Sequence, residues 1–295
     1  MWMKNVSKII LLSVTLAGAL VPGVAAQSPY EVHEVPLRAE GGWLVVPVVT
    51  PTGDTLSFIV DTAAGVTVLG ASGAEAMAAE PSGKATVTGA SGPMEVKIVR
   101  APELAVADLS IRATERVVID DAAITSDDGI VFHGILGIDF LRSFDVLIDA
   151  PGGRMLLRQP GGEGSDWPGL DLGEPVKISF VMRSFIRIDV EVNGLPVRSI
   201  LDTGARDIVL NRATANAVSV RRTSEPAPIP HRGIGAEEVI GYNALVKTLT
   251  FGQVLRTDVE VTVADLPVFG LFGAEQVVLL GSPLFQECAL SISYR

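Results

Sequence analysis

Short apolar runs, most of them four to eight residues long, recur along most of the chain. They read WLVVPVV (43–49), SFIV (57–60), EVKIV (95–99), RVVI (116–119), DVLI (145–148) and RMLL (154–157). A second series follows: VKISFVM (176–182), IRIDVEV (186–192), RSIL (198–201), ALVKTLTF (244–251) and VEVTV (259–263). Turn-forming stretches such as PTGD, APGGR and VNGLP lie between them. Runs of that length, rich in β-branched residues and punctuated by Gly, Pro and Asn, predict an all-β chain. Helical spacing is confined to ASGAEAMAAE (71–80) and NRATANAV (211–218), each predicted as a short helix.

Residues 159–174, QPGGEGSDWPGLDLGE, concentrate Gly, Pro and acid, and read as a linker between two lobes, 27–158 and 175–295. Setting residue n against residue n + 141 gives a gap-free match over the stretches that carry the two Asp-Thr pairs. Val49 then meets Val190, Gly53 meets Gly194, and Ile59 meets Ile200. Asp61-Thr62 meets Asp202-Thr203, Ala64 meets Ala205, and Val68-Leu69 meets Val209-Leu210. Farther on, Ile135-Leu136-Gly137 corresponds to Leu279-Leu280-Gly281, with Gly137 lying 76 residues beyond Asp61 and Gly281 lying 79 beyond Asp202. Two matches in the same order imply two copies of one β unit.

The N-terminus departs from this pattern. Lys4 and Lys8 precede the apolar run IILLSVTLAGAL (9–20), Pro22 and Gly23 break it, and Val24-Ala25-Ala26 offers small residues for cleavage. This is the layout of a secretory signal peptide over 1–26, and the run is short for an uncut membrane anchor. A mature chain beginning near Gln27 loses two lysines, which takes the formal charge from −11 to −13. No later segment is apolar over the ~20 residues that a helical span needs. We therefore expect export to a periplasm or the medium, with no stable membrane insertion. The acidic balance excludes nucleic acid as a partner. Cys288 is the only cysteine, so intramolecular disulfides are impossible, and His33, His133 and His231 are too isolated for a zinc site. No metal or organic cofactor is expected.

FIVDTAAGVTVL (58–69) and SILDTGARDIVL (199–210) resemble the Asp-Thr-Gly strand and turn of the aspartic peptidases, the retroviral-like group above all. HGILGIDFLRSFDVLID (133–149) is similar to that group's second signature. The resemblance spans about Trp43 to Tyr294. It implies two β-barrel lobes related by a pseudo-twofold axis, with a cleft between them and Asp61 and Asp202 as the catalytic pair. Two carboxyls held close cannot both ionise easily, so they share a proton. One can take a proton from water while the other hydrogen-bonds the scissile carbonyl.

The resemblance also assigns supporting roles: cross-lobe hydroxyls to Thr62 and Thr203, the close turn to Gly204, and room for the crossing strand to Gly137 and Gly281. Ala63 stands where the family has glycine, and its methyl is tolerated where φ is negative. Ala64 and Ala205 replace a hydroxyl residue of pepsin-like lobes, and each carboxylate then has one hydrogen bond fewer for its charged form. The pair is expected to titrate higher than pepsin's and to work at mildly acidic to neutral pH. The glycine-bearing stretches VTGASGPMEV (87–96) and HRGIGAEEVIGY (231–242) read as flaps. Gly89-Ala90 and Gly235-Ala236 form their tips, in contact with substrate.

Asp139, Asp145 and Asp149 are expected to cap or solvate their helix and strand, and Asp120, Asp121, Asp127 and Asp128 to be a solvated loop without the calcium-loop pattern. His133 is expected to be a satisfied, partly buried side chain. Three functions fit such a chain: a monomeric endopeptidase acting on peptides or proteins, a catalytically inactive peptide-binding module of the same fold, and a structural envelope protein.

Overall fold

The computed structural model describes residues 10–13, 31–111, 115–160, 167, 170–181, 185–229, 238–273 and 275–294. Among them, one sheet of ten strands forms the first lobe, one of nine the second, and one of six joins the two. The chain is the all-β, two-lobed molecule that its apolar runs predict.

Each lobe is organised around the same crossing. In the first, Gly134–Leu136 runs parallel to Thr55–Val60, with Ile135 beside Ile59, and antiparallel to Val68–Gly70. In the second, Val277–Leu280 runs parallel to Leu195–Leu201, with Leu279 beside Ile200, and antiparallel to Val209–Leu210. The strands at this crossing are apolar on both faces because both faces are covered. Phe58 and Val60 join a core that continues through both lobes and the joining sheet, whereas Ile59 turns into a smaller cluster under the cleft with Trp43, Val68 and Ile135. Ile200, Val209 and Leu279 form the matching cluster in the second lobe.

The joining sheet makes the lobes one body. Asp145–Asp149 of the first lobe pairs antiparallel with Ala289–Ser293 of the second, Val146 lying opposite Ile292. Arg154–Arg158 and Val32–Pro36 extend it on one side. Of the predicted leader, only residues 10–13 are among those described, as a strand parallel to Ala289–Ser293. The rest of 1–26 lies outside them.

Two predicted elements differ in detail. The first helix ends at Ala76 and not at 80, because Ala78 takes a left-handed conformation (φ 48°) and Glu80 already begins a strand. VKISFVM is divided into Pro175–Lys177 and Ser179–Val181, with Ile178 buried between them. The second helix, Arg212–Val218, follows an N-cap Asn211 whose side chain accepts the Thr214 N–H at 2.9 Å.

The linker has an anchor that its composition hides. Trp167 is buried, donates its indole N–H to Ser291 Oγ at 2.8 Å and carries the Arg158 guanidinium over its ring at 4.3 Å. Leu172 packs with it against Leu147, Leu156 and Ala289. Residues 161–166, 168 and 169 lie outside the described ones.

Candidate active site

Both Asp-Thr motifs leave a buried strand and enter a turn closed by the aspartate itself. The Asp61 N–H donates to the Leu136 carbonyl and the Asp202 N–H to the Leu280 carbonyl, each at 3.0 Å. Asp61 Oδ1 then accepts the N–H groups of Ala63 (2.7 Å) and Ala64 (2.9 Å), and Asp202 Oδ1 those of Gly204 and Ala205 (both 3.0 Å). Such turns use a short acid because its oxygen reaches the N–H groups two and three residues on.

Thr62 and Thr203, both fully buried, tie the turns together across the lobes. The Thr62 hydroxyl donates to the Leu201 carbonyl (3.0 Å) and accepts the Thr203 N–H (3.1 Å). The Thr203 hydroxyl donates to the Val60 carbonyl (2.7 Å) and accepts the Thr62 N–H (3.1 Å). Behind each turn the crossing strand passes a glycine. A Cβ on Gly137 would lie 2.6 Å from the Val66 carbonyl, and one on Gly281 would lie 2.1 Å from the Asp207 carbonyl oxygen. The neighbouring N–H groups then bond the turns, Ile138 to the Ala64 carbonyl and Ser282 to that of Ala205.

Asp61 and Asp202 line the same cleft, and each acts on the titration of the other. Burial raises the Asp61 carboxyl above the ordinary carboxylate range, against the pull of its backbone N–H bonds. Burial and then the charge of Asp61 hold Asp202 well above that range. Their protons therefore belong to the pair.

Ala63 keeps the turn. It is not among the residues with positive φ, and its N–H bond matches that of Gly204. The residue lines the cleft. Gly204 is the tighter position, since a Cβ there would fall 2.3 Å from Asp61 Cγ and Oδ2.

The cleft above the pair measures about 630 Å³, within the usual range for a ligand site. Val66, Val87 and Ile135 line it from one lobe, and Phe185, Ile229 and Leu266 from the other. Glu80–Gly89 and Gly92–Arg100 form a hairpin over it, with Gly89 paired to Gly92 at the tip. The tip reaches the second lobe, where the Ala90 carbonyl accepts the Val268 N–H at 3.4 Å. Ser91, also at the tip, is buried, lines the cleft, and has no partner for its hydroxyl among the described residues. The opposite flap has arms at Ala227–Pro228 and Ile240–Gly241, paired antiparallel. Its predicted tip, Gly235 and Ala236, lies outside the described residues, as does His231.

Other acids of the sequence are structural. Asp139 accepts the Thr67 hydroxyl, Asp145 pairs with Arg158 and accepts the Ser293 hydroxyl, and Asp149 pairs with Arg154. Asp145 and Asp149 are buried ion-pair partners and not the solvated groups expected. In the acidic loop, Asp120 caps Ala122 and Asp121 binds Ser72. Asp127 meets Arg206 across the lobes at 2.8 Å, so this loop is not wholly solvated. His133 Nδ1 accepts the Ser57 N–H. Burial pushes the Cys288 thiol up to about 11, which keeps it protonated and un-nucleophilic. Among the described residues, Glu31, His33 and Asp108 are the group with ligand atoms close enough for a metal, all within 4.8 Å. Its His33 Nδ1 is already taken by Asp108 at 2.6 Å. Sequence reasoning missed Trp43 and Arg206, which join the lobes beside the pair.

A comparison with curated proteins returns no match. The family model for aspartyl proteases matches the chain twice, over residues 46–140 and 188–284. The first match contains Asp61 and Gly137 and the second Asp202 and Gly281, and together they cover most of both lobes. The chain belongs to the aspartyl protease family.

Proposed function

We propose that the chain is an aspartic endopeptidase in which Asp61 and Asp202 activate a water molecule. The observation that carries the reading is the placement of both carboxyls in one flap-covered cleft, on turns tied to each other by Thr62 and Thr203. The pair holds one proton. The ionised carboxylate accepts a proton from water as the water oxygen attacks the peptide carbonyl carbon, while the protonated carboxyl donates to the carbonyl oxygen. The tetrahedral gem-diol then collapses. The C–N bond breaks, a proton passes to the leaving nitrogen, and the pair regains its single proton. An extended peptide lies between the lobes beneath the hairpin, its side chains among the apolar walls. Both lobes are in one chain, so a monomer suffices. We place the enzyme outside the cytoplasm, in a periplasm or the medium, after removal of residues 1–26.

The test is cleavage of denatured protein by the wild type, Asp61→Asn and Asp202→Asn, with and without a statine-type inhibitor. Loss of at least about a thousandfold in both variants, with inhibition of the wild type, is expected. Equal cleavage by all three overturns the proposal. So does an inactive wild type that still binds the inhibitor, which would mark a peptide-binding module.

A further inference from the structure

We propose that Trp43 is a positioning residue that sets the spacing of the two active-site carboxyls, acting through the carbonyl of Gly204. The inference rests on the peptidase reading of the same site. Gly204 is wedged between the pair. Its N–H donates to Asp202 Oδ1 at 3.0 Å, and its Cα lies so close to Asp61 that an added Cβ would fall 2.3 Å from Asp61 Cγ. The remaining polar group of this residue is its carbonyl, which accepts the Trp43 indole N–H at 2.6 Å. Trp43 opens the strand Trp43–Val49 in the lobe that carries Asp61. A shift of Gly204 relative to the indole is therefore a shift of Asp202 relative to Asp61.

The indole is itself fixed. It is buried, meets Phe132 edge-on with ring centroids 5.4 Å apart, and carries the Arg206 guanidinium at 4.7 Å from its centroid. Arg206 is held in turn by Asp127 at 2.8 Å and by the Gly41 carbonyl at 3.4 Å. The apolar contacts alone would accept phenylalanine, but only tryptophan adds an N–H where the carbonyl needs a donor. The 141-residue repeat does not duplicate the device: Ser184 is the counterpart of Trp43, Ala63 of Gly204 and Gly65 of Arg206. One side of the pair is thus held by an indole that the other side does not have.

Trp43→Phe keeps the ring and deletes the donor. Phe132→Leu serves as the control, because it loosens the same ring without touching Gly204. The readouts are the pH profile of kcat, KM, the melting temperature, and carboxyl titration of 13C-aspartate-labelled protein by NMR. The last needs no turnover. Trp43→Phe is expected to bring the two apparent pKa values of the pair closer by about one unit and to lower kcat at least about tenfold, with KM within twofold. Phe132→Leu is expected to lower the melting temperature without narrowing the gap. An unchanged gap in Trp43→Phe, or equal narrowing in both variants, overturns the inference. Should Trp43→Phe fail to fold, 3-benzothienylalanine placed at position 43 decides, since it keeps the bicyclic ring, lacks the N–H donor to the Gly204 carbonyl and must narrow the gap in the same direction. An inactive wild type strikes the peptidase proposal, and the NMR titration still judges this one.

Discussion

Replacing Thr203 by valine exchanges a hydroxyl for a methyl of nearly the same size inside a fully buried site. The change leaves no cavity, so its cost is that of the hydrogen bonds alone. Two are lost: the one to the Val60 carbonyl at 2.7 Å and the one from the Thr62 N–H at 3.1 Å. A buried polar group left without its partner costs about 1–3 kcal/mol, so Thr203→Val should destabilise the protein by about 2–6 kcal/mol. That is a large share of the 5–15 kcal/mol typical of a folded domain. Thr62→Val removes the mirrored bonds to the Leu201 carbonyl and from the Thr203 N–H, and should cost a similar amount. Thr203→Ser keeps the hydroxyl and loses one methyl, worth about 1 kcal/mol. The double valine variant should fall short of the sum, because turns already parted have less to lose. Urea unfolding followed by tryptophan fluorescence gives each value. If Thr203→Val lies within 1 kcal/mol of wild type, or if serine costs as much as valine, the threonines are packing residues and the cross-lobe bond network does not hold the turns.

Three further outcomes follow from the site. Gly204→Ala should lower kcat by at least about a hundredfold, because its Cβ would overlap Asp61 Cγ, whereas Ala63→Gly should stay within about threefold of wild type, its N–H bond being a backbone bond. Similar losses in both would refute the distinction. Asp202→Asn should melt higher than wild type at pH 7 but not at pH 3. The raised carboxyl of Asp202 is protonated in both folded and unfolded chains at low pH, and wild-type stability falls only as pH climbs from the unfolded value through the folded one. A variant melting below wild type at pH 7 would reverse that sign. Ser91→Ala should raise KM about fivefold with kcat little changed, the equivalent of one ordinary hydrogen bond from the flap tip to the substrate backbone, and an unchanged KM would remove Ser91 from substrate binding.

Much of this fold is written locally. WLVVPVV coincides with the strand Trp43–Val49, and the Asn211 cap fixes the start of Arg212–Val218, because both depend on neighbours a few residues away. The 141-residue shift also reached the pair, since Asp61 and Asp202 occupy the same place in two copies of one unit. A shift of that kind compares like with like, and so it is blind to contacts between unlike positions. The Trp43 bond to Gly204 spans 161 residues and joins a strand start to a turn. Nothing near either residue announces it. Arg206 stands between Ala205 and Asp207, and its burial follows from the ring of Trp43 and the carboxylate of Asp127 in the other lobe. Composition hides the anchor in the linker for a related reason. Gly, Pro and acid outnumber Trp167 and Leu172 there, yet two buried side chains suffice to hold a segment against a sheet.

Ala63 shows where a departure from a family motif matters and where it does not. What the turn requires of its third residue is an N–H aimed at the aspartate, and alanine supplies that as well as glycine when φ is negative. What the pair requires is room for the opposite carboxyl, and that demand falls on Gly204, whose Cα stands against Asp61. The pseudo-twofold holds closely in the hydrogen bonds and only loosely in side-chain space, so identical motif positions carry different burdens. Ala63 lines the cleft, as Val66 and Ile135 do. The cleft lining next to Asp61 is thus more apolar than that beside Asp202, where Gly204, Arg206 and Asp207 follow. The two halves of the cleft therefore differ in chemistry beside the two carboxyls, and the sequence difference between DTAAGV and DTGARD is a difference in cleft surface on turns that keep the same hydrogen bonds.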